Sequence, residues 1–513
     1  MPGIAATSPA TGQVLKVYEK ASAADIGSAM ERARRAFLAW HAVPLEQRLR
    51  CVRAIRSRIV EELDTVADTI ALATGKVRVE ALMADVLPVL ELAKYYERNA
   101  PAILKPRIVK TPLLYMGSTS LVTHEPAGVV LVIAPWNYPF QLAMGPILTA
   151  LVSGSVVILK PSELTLTIGE LIVDVCSRAG LPEHAVQAVY GDGETGVLLV
   201  DAGPDRIFLT GSTPTGRRVM EATARNLTPL VMELGGRDPM IVFDDANFPR
   251  AIGGALYGAF ANSGQVCVSV RRLYVQQGTY EPFVHELAER ATQLRIGFDT
   301  DSDIGAVASL RQIELIDACV DDALARGARL LTSRERRGNL LRPIILANTN
   351  HDMRIMREEV FGPVLPVMPF ETEEQAVDLA NDCSQGLGSS IWTPDLPKAR
   401  RVAERLRAGS CAVNDVIKTI GNPYLPFGGV KLSGFGRYHG PDGLYALSEE
   451  MSLMVNPGTR LREVNWFPYR PGLYDGLKEF IGIMHGPGSI IRKAAGLLAV
   501  RRYFRKHTDH QAP

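Results

Sequence analysis

Apolar and polar positions along the chain fall into two rhythms. From residue 25 to 100 the period is helical: Asp25 stands ahead of Ile26, Met30, Ala33, Phe37 and Trp40, and a second run from Pro44 to Ala73 is closed by Gly75. Asp25 is expected to cap the first helix, and both runs to be packing helices rather than a site. From Leu121 the rhythm changes. Short apolar runs (Val129 to Ala134, Val156 to Leu159, Val186 to Val189, Arg206 to Leu209, Pro229 to Met232 and Met240 to Phe243) alternate with segments such as Gln141 to Val152 and Ile168 to Ala179, which have the length of crossover helices. This alternation predicts an α/β fold with a doubly wound parallel sheet, whose ligands gather at the carboxyl ends of the strands.

Length and charge narrow the picture. A chain of 513 residues is too long for one core and predicts two or three domains. A net charge of +1 offers no electrostatic reason to expect nucleic acid as a partner. No stretch approaches the roughly 18 uninterrupted apolar residues of a membrane span, and Met1 to Lys20 lacks the basic start and apolar run of a secretory signal. The expectation is a cytoplasmic protein. Six cysteines, Cys51, Cys176, Cys267, Cys319, Cys383 and Cys411, are scattered without a C-x-x-C, so neither a metal site nor a disulfide framework is expected. Reduced thiols are the default, and one of them is a candidate for chemistry.

The residues just after each apolar run carry that chemistry. Pro135-Trp136-Asn137-Tyr138-Pro139 holds an amide donor between two prolines, suited to an oxyanion. Lys160-Pro161-Ser162-Glu163 sets a cation and an anion at the next strand end, suited to ribose hydroxyls. Gly191 to Gly196 matches G-x-G-x-x-G, but it lacks the first-strand context and an acidic partner about 20 residues on, so it is not read as a diphosphate loop. Thr210-Gly211-Ser212 ahead of Pro214 is the better anion site, because free amides and hydroxyls meet at a helix start there. Glu233-Leu234-Gly235-Gly236 and Asn262-Ser263-Gly264-Gln265-Val266-Cys267 then pair a carboxylate with a lone thiol, each set among small residues.

Taken in order, these motifs resemble the aldehyde dehydrogenase superfamily, the NAD(P)-dependent enzymes that oxidise aldehydes to acids. The resemblance runs from Thr7 to Met451 and includes Ser8-Pro9-Ala10-Thr11-Gly12, Glu358-Glu359-Val360-Phe361-Gly362-Pro363 and Pro426-Phe427-Gly428-Gly429. It implies that Cys267 attacks the aldehyde to give a thiohemiacetal and then a thioester. Asn137 would hold the oxyanion with the Cys267 backbone N–H, and Glu233 would activate the hydrolytic water. A Glu at this position sets the chain apart from branches that pass the acyl group to coenzyme A. For the cofactor, Lys160 and Glu163 resemble the adenosine-ribose contacts, with Trp136, Ser162 and Gly193 beside them. Gly211 and Ser212 resemble the diphosphate contact, and Leu234, Glu359 and Phe361 the nicotinamide end. A carboxylate at Glu163 favours NAD over NADP by repelling a 2′-phosphate, although some relatives with this Glu use both.

The implied organisation is a Rossmann-like cofactor domain (residues 1–107 and 127–235), an α/β catalytic domain (236–440) and a small β oligomerisation module (108–126 and 441–456). A basic amphipathic tail (457–513) follows. The usual family result is a homodimer or homotetramer. Tyr138, Tyr424 and Phe427 are expected to line an apolar substrate tunnel, which favours an aliphatic or aromatic aldehyde, with succinic semialdehyde as the alternative. Arg271 and Arg272 are expected to be exposed or substrate-facing. Tyr438 stands where many family members carry a second acidic residue, a feature of the class 3 or fatty-aldehyde branch, whereas Leu104 to Arg107 and Arg437 to Pro441 resemble a group associated with succinic semialdehyde. In the tail, Ile490, Ala494, Leu497, Leu498 and Phe504 share a helical face beside Arg492, Lys493, Arg501, Arg502, Arg505 and Lys506, a pattern suited to peripheral contact with an anionic membrane. The reading of a different class is a catalytically silent structural relative, disfavoured because Cys267, Glu233 and Asn137 are all present.

Overall fold

A computed structural model describes residues 3–115, 117–459, 462, 463, 465–469, 471–487, 496 and 498. The chain divides into two compact units, residues up to 105 with 123–451, and 106–122 with 452 onward. The basic amphipathic segment from Ile490 to Lys506 lies almost wholly outside the described residues.

In the first unit, the opening helix is Ala23–Trp40, and Ser22 rather than Asp25 is its cap. Asp25 answers from the third helical position by accepting from the Ser22 backbone N–H at 2.8 Å, which completes a capping box. The run from Pro44 to Ala73 is two helices, Leu45–Glu61 and Leu63–Thr74, broken at Glu62 and ended by Gly75 at φ +73°. A π-helical stretch, Ala81–Val86, then rewinds the chain before the helix Leu87–Ile103 and brings Asp85 inward.

The first five predicted strands form close to their predicted places and join in one sheet. Its order is Gly434–Phe435, Leu230–Glu233, Arg206–Thr210, Val129–Ile133, Val156–Lys160, Val186–Ala188. All pairs are parallel except Gly434–Phe435, which returns from far along the chain to pair antiparallel with Leu230–Glu233. Val129–Ile133 and Val156–Lys160 are buried along their whole length, as central strands covered on both faces must be, and this is why they read as unbroken apolar runs. The chain winds outward from Val129–Ile133 and then restarts on its other side at Arg206–Thr210, with Ile133 opposite Leu209. That reversal leaves a crevice at the carboxyl ends of these two strands. The buried helix Pro139–Ser153 departs from it.

A second sheet follows, in the order Arg329–Leu330, Ile344–Ala347, Val364–Phe370, Val270–Gln276, Asp238–Val242, Ser390–Trp392, Ala412–Val413. Met240 to Phe243, predicted in series with the earlier strands, belongs here as Asp238–Val242. Among the described residues no helix is long and apolar enough to cross a membrane.

In the second unit, Arg107–Val109 pairs antiparallel with Thr119–Pro126, with Arg107 opposite Val122 and Val109 opposite Ser120. Ser448–Val455 forms the third strand of that small sheet, and all of its residues but Ser448 are exposed. The helix Leu473–His485 lies beyond it.

Candidate active site

The thiol reaches the site on a loop whose backbone is unusual. Asn262, Ser263 and Gly264 follow one another at φ +49°, +56° and +70°, a left-handed run that non-glycine residues adopt only when their surroundings hold them. Here they are held from every side. The Asn262 N–H donates to Glu80 at 2.6 Å, Ser263 Oγ to the Gly305 carbonyl at 2.8 Å, and Gln265 Nε2 to the carbonyls of Asn262 and Ala306 at 3.0 and 3.1 Å. A side chain at Gly264 would collide with the Gly362 carbonyl 2.1 Å away. The loop is thereby fixed before Cys267 is reached.

Asn137 is fixed with it. Its Nδ2 donates to the Gln265 carbonyl at 3.0 Å, which aims the amide and leaves its second N–H for another acceptor. The Asn137 backbone carbonyl accepts from Lys76 Nζ at 2.8 Å and from Asn262 Nδ2 at 3.1 Å. Lys76 is itself paired with Asp85 at 2.5 Å, both side chains fully buried, and lies 4.0 Å from the Tyr138 ring centroid. Asp85 also accepts from the N–H groups of Phe140 and Gln141, so it closes the open start of the helix Pro139–Ser153. One buried ion pair thus anchors the amide and the helix behind it.

Glu233 ends the strand Leu230–Glu233, and neither of its carboxyl oxygens has a protein hydrogen-bond partner. Burial pushes its pKa well above the ordinary carboxylate value, and Arg437 offsets this only in part. A carboxyl so placed is a far stronger base when ionised than an exposed one. The half-buried Cys267 thiol is also held well above its usual value, by burial first and then by the charges of Asp238, Glu233 and Glu359. The shift favours the thiol over the thiolate. Asp238, buried and accepting from the Gly388 N–H at 2.9 Å, is pushed up to about 7.

A cavity of about 170 Å³ at the crevice of the first sheet brings Asn137, Glu233 and Cys267 together with Trp136, Gly211, Ser212, Leu234, Glu359 and Phe361. Ser212 caps the eleven-residue helix Thr213–Thr223 by accepting from the Thr215 N–H. The Thr210 hydroxyl and Glu359 Oε1 are buried without protein partners. Glu359 lies so close to the main chain that a Cβ on Gly235 would fall 1.8 Å from its carboxylate. The Trp136 and Phe361 rings meet edge-on at 5.9 Å. A helix start, an unpartnered hydroxyl, an unpartnered carboxyl oxygen and two rings fit the diphosphate, ribose and ring of a dinucleotide. Lys160, Ser162, Glu163 and Gly193 lie outside this cavity. Lys160, its pKa lowered by burial, sits 3.5 Å from Glu163, and Gly193 opens a helix capped by Asp192, which is bound to Lys20.

A second cavity of about 600 Å³ also reaches Cys267 and is lined by Tyr138, Gln141, Tyr257, Trp392, Val416, Ile417 and Ile420, with Arg250, Asp415 and Lys418. Of the three aromatic residues expected to line a substrate tunnel, Tyr138 lines this cavity, and Phe427 and Tyr424 do not. Phe427 is drawn to the first cavity, because its N–H and carbonyl pair with Tyr438 at 2.8 and 2.9 Å and the two rings meet edge-on at 5.6 Å. Tyr424, in a turn set by the Asn422 side chain, points outward onto Tyr95 and lines neither cavity. Arg271 and Arg272 are neither exposed nor substrate-facing. Arg271 ties the Cys267 loop to the Glu359–Phe361 loop through the carbonyls of Gly264 and Gly362, and Arg272 binds the carbonyls of Arg237, Leu379 and Ala380. Sequence reasoning missed Tyr257, Trp392, Ile417 and Ile420. Tyr257 was within reach, since it shares a helical face with Arg250 and Gly253, whereas Trp392 ends a strand of three residues and gives no local signal.

Residues 2–453 match the aldehyde dehydrogenase family. The chain is 46% identical over 494 residues to 4,4′-diapolycopene aldehyde oxidase of Methylomonas sp, covering 96% of this chain and 93% of that protein. Among solved structures, it resembles a putative aldehyde dehydrogenase from Burkholderia cenocepacia with a TM-score of 0.86 and 34% identity over 91% of this chain and 96% of that one. It also resembles betaine aldehyde dehydrogenase from Staphylococcus aureus in complex with NAD+, with a TM-score of 0.85 and 33% identity over 91% and 93%. The chain belongs to the aldehyde dehydrogenase family.

Proposed function

We propose that this enzyme oxidises an apolar aldehyde to its carboxylic acid through a covalent intermediate on Cys267, with NAD as the cofactor. The observation that carries the reading is the position of Cys267, which reaches two cavities at once, one lined by Asn137 and Glu233 and fit for a dinucleotide, the other broad and aromatic. Cys267 Sγ gives its proton to solvent water and attacks the carbonyl carbon, the C=O π electrons moving onto the aldehyde oxygen, which takes the charge. Asn137 Nδ2 and the Cys267 N–H stabilise that oxyanion. When bound, NAD supplies the hydride acceptor. Gly211 and Ser212 at the helix start would hold its diphosphate, Glu359 a ribose, and Trp136, Leu234 and Phe361 the nicotinamide end, with Lys160, Ser162, Glu163 and Gly193 at the adenosine. The thioester that remains on Cys267 is opened by water, which gives one proton to a Glu233 carboxyl oxygen as its oxygen bonds to the acyl carbon; the C–S bond then breaks, Glu233 passes that proton to the departing Cys267 sulfur, and the carboxylic acid is released.

Apolar side chains of the second cavity and the aldehyde named for the Methylomonas relative support an apolar substrate. Succinic semialdehyde is the second reading, because mycobacterial relatives at 32–33% identity carry the name putative succinate-semialdehyde dehydrogenase, and Arg250 and Lys418 line the same cavity. Both cations already face Asp415, at 3.8 and 2.7 Å, which weakens them as carboxylate ligands. An NADH-absorbance screen over an aldehyde chain-length series, with benzaldehyde, succinic semialdehyde and both cofactors, tests the reading. Preference for the semialdehyde overturns the substrate class.

The exposed strand Ser448–Val455 supports assembly as a homodimer or homotetramer by sheet extension. Exposed Trp466, Phe467, Tyr469 and Tyr474 ahead of the basic tail support a cytoplasmic enzyme in peripheral contact with an anionic membrane. Pelleting with anionic vesicles, full-length against a chain ending at Asn456, tests this, and equal pelleting refutes it.

A further inference from the structure

The helix Phe248–Phe260 turns one face to the larger cavity, where Arg250, Gly253, Gly254 and Tyr257 all line it at i, i+3, i+4, i+7 spacing. Its sequence contains three glycines, Gly253, Gly254 and Gly258, although glycine is the poorest helix former after proline. For two of them the packing supplies a reason. A Cβ on Gly254 would come within 2.2 Å of Trp392 Cη2, and one on Gly258 within 2.6 Å of Val270 Cγ2. Gly253 has no such neighbour. Nothing lies within 4 Å of its Cβ position, and its backbone is not left-handed. Neither packing nor conformation asks for glycine there, and helix propensity argues against it; Gly253 is exposed, and the space beside it is the open, solvent-facing side of the cavity that it lines.

Position along the helix says which part of a substrate meets that space. The lining residues run from Arg250, with a side chain 57% exposed, toward Ala261 and the Cys267 loop. Eight residues separate Gly253 from Ala261, about 12 Å of helix. A side chain at 253 would therefore meet the distal part of a long aldehyde bound to the thiol, while a short one would end before reaching it.

We propose that Gly253 is a specificity-determining residue, whose missing side chain keeps open the far half of the cavity and sets the longest aldehyde the enzyme accepts. This rests on the reading of that cavity as the seat of an apolar aldehyde. The test compares wild type, Gly253→Ala and Gly253→Leu by NADH formation from butanal and dodecanal, with thermal unfolding of each. Wild type is expected to prefer dodecanal. Gly253→Leu should lose at least about tenfold in kcat/KM for dodecanal and keep butanal within about threefold, with Gly253→Ala between and neither variant melting below wild type. An unchanged dodecanal-to-butanal ratio in Gly253→Leu, whether both rates fall together or neither does, overturns the proposal. A wild type that prefers butanal or succinic semialdehyde refutes the apolar-aldehyde reading itself and this proposal with it.

Discussion

Removing the cation behind Asn137 probes how the site is held. Lys76 and Asp85 form an ion pair at 2.5 Å with both side chains at 0% exposure, so neither faces bulk solvent that could replace a lost partner. Lys76→Met leaves the Asp85 carboxylate buried with only the N–H groups of Phe140 and Gln141, at 3.2 and 3.3 Å, and strips the Asn137 carbonyl of its 2.8 Å donor. Breaking one side of a buried pair costs about 3–5 kcal/mol, whereas removing both charges restores much of that loss. Asp85→Asn alone strands the ammonium in the same way. The double variant Lys76→Met with Asp85→Asn should therefore lose less than the two single losses combined, by at least about 2 kcal/mol. Urea unfolding followed by tryptophan fluorescence gives the stabilities, and NADH formation gives kcat/KM, which should fall in Lys76→Met as the Asn137 backbone loosens. Additive losses, or single variants as stable and active as wild type, would refute a coupled pair that anchors the oxyanion donor.

Three further outcomes follow from the same geometry. Asn137→Ala should lower kcat/KM by roughly 10²–10³, with circular dichroism unchanged, because the side chain makes a single protein hydrogen bond, to the Gln265 carbonyl. Glu80 is half-buried with its carboxyl turned inward, and desolvation there raises its pKa from 4.5 to about 7, so between those values the fold holds a proton that the unfolded chain releases. Its contribution to stability is present below about 4.5 and is lost as pH rises through about 7, and Glu80→Gln should flatten the unfolding free energy across that window by up to about 1.4 kcal/mol per pH unit. Because burial first, and the charges of Asp238, Glu233 and Glu359 after it, hold the Cys267 thiol up, its alkylation by iodoacetamide should accelerate with rising pH through 9, and a rate independent of pH between 7 and 9.5 would refute this.

What was legible in the sequence follows from how local each signal is. Val129–Ile133 and Val156–Lys160 could be read because strands covered on both faces are unbroken apolar runs. Asn137, Glu233 and Cys267 could be read because each sits in a short motif at a strand end or tight loop. Ser390–Trp392 and Ala412–Val413 could not, being two or three residues long and held only by their neighbours. The wall of the larger cavity is assembled from a helix face, a strand end and the Val416–Gly421 segment, so no single window contains it, and Phe427 and Tyr424 were expected in a substrate tunnel because their loop resembles the family's tunnel wall. Asp85 reads as one more helical carboxylate until the π-helical stretch Ala81–Val86 turns it toward Lys76.

The two-step use of Cys267 and Glu233 is tested most directly by rapid-quench kinetics of Glu233→Gln with a preferred aldehyde and NAD. Glutamine cannot take the proton of the hydrolytic water, so a burst of NADH equal to the number of sites is expected, followed by turnover slowed by at least about 10², with the acyl group found on Cys267 by mass spectrometry. Full steady-state turnover in this variant, or an acyl group absent from Cys267 after the burst, would contradict the assignment.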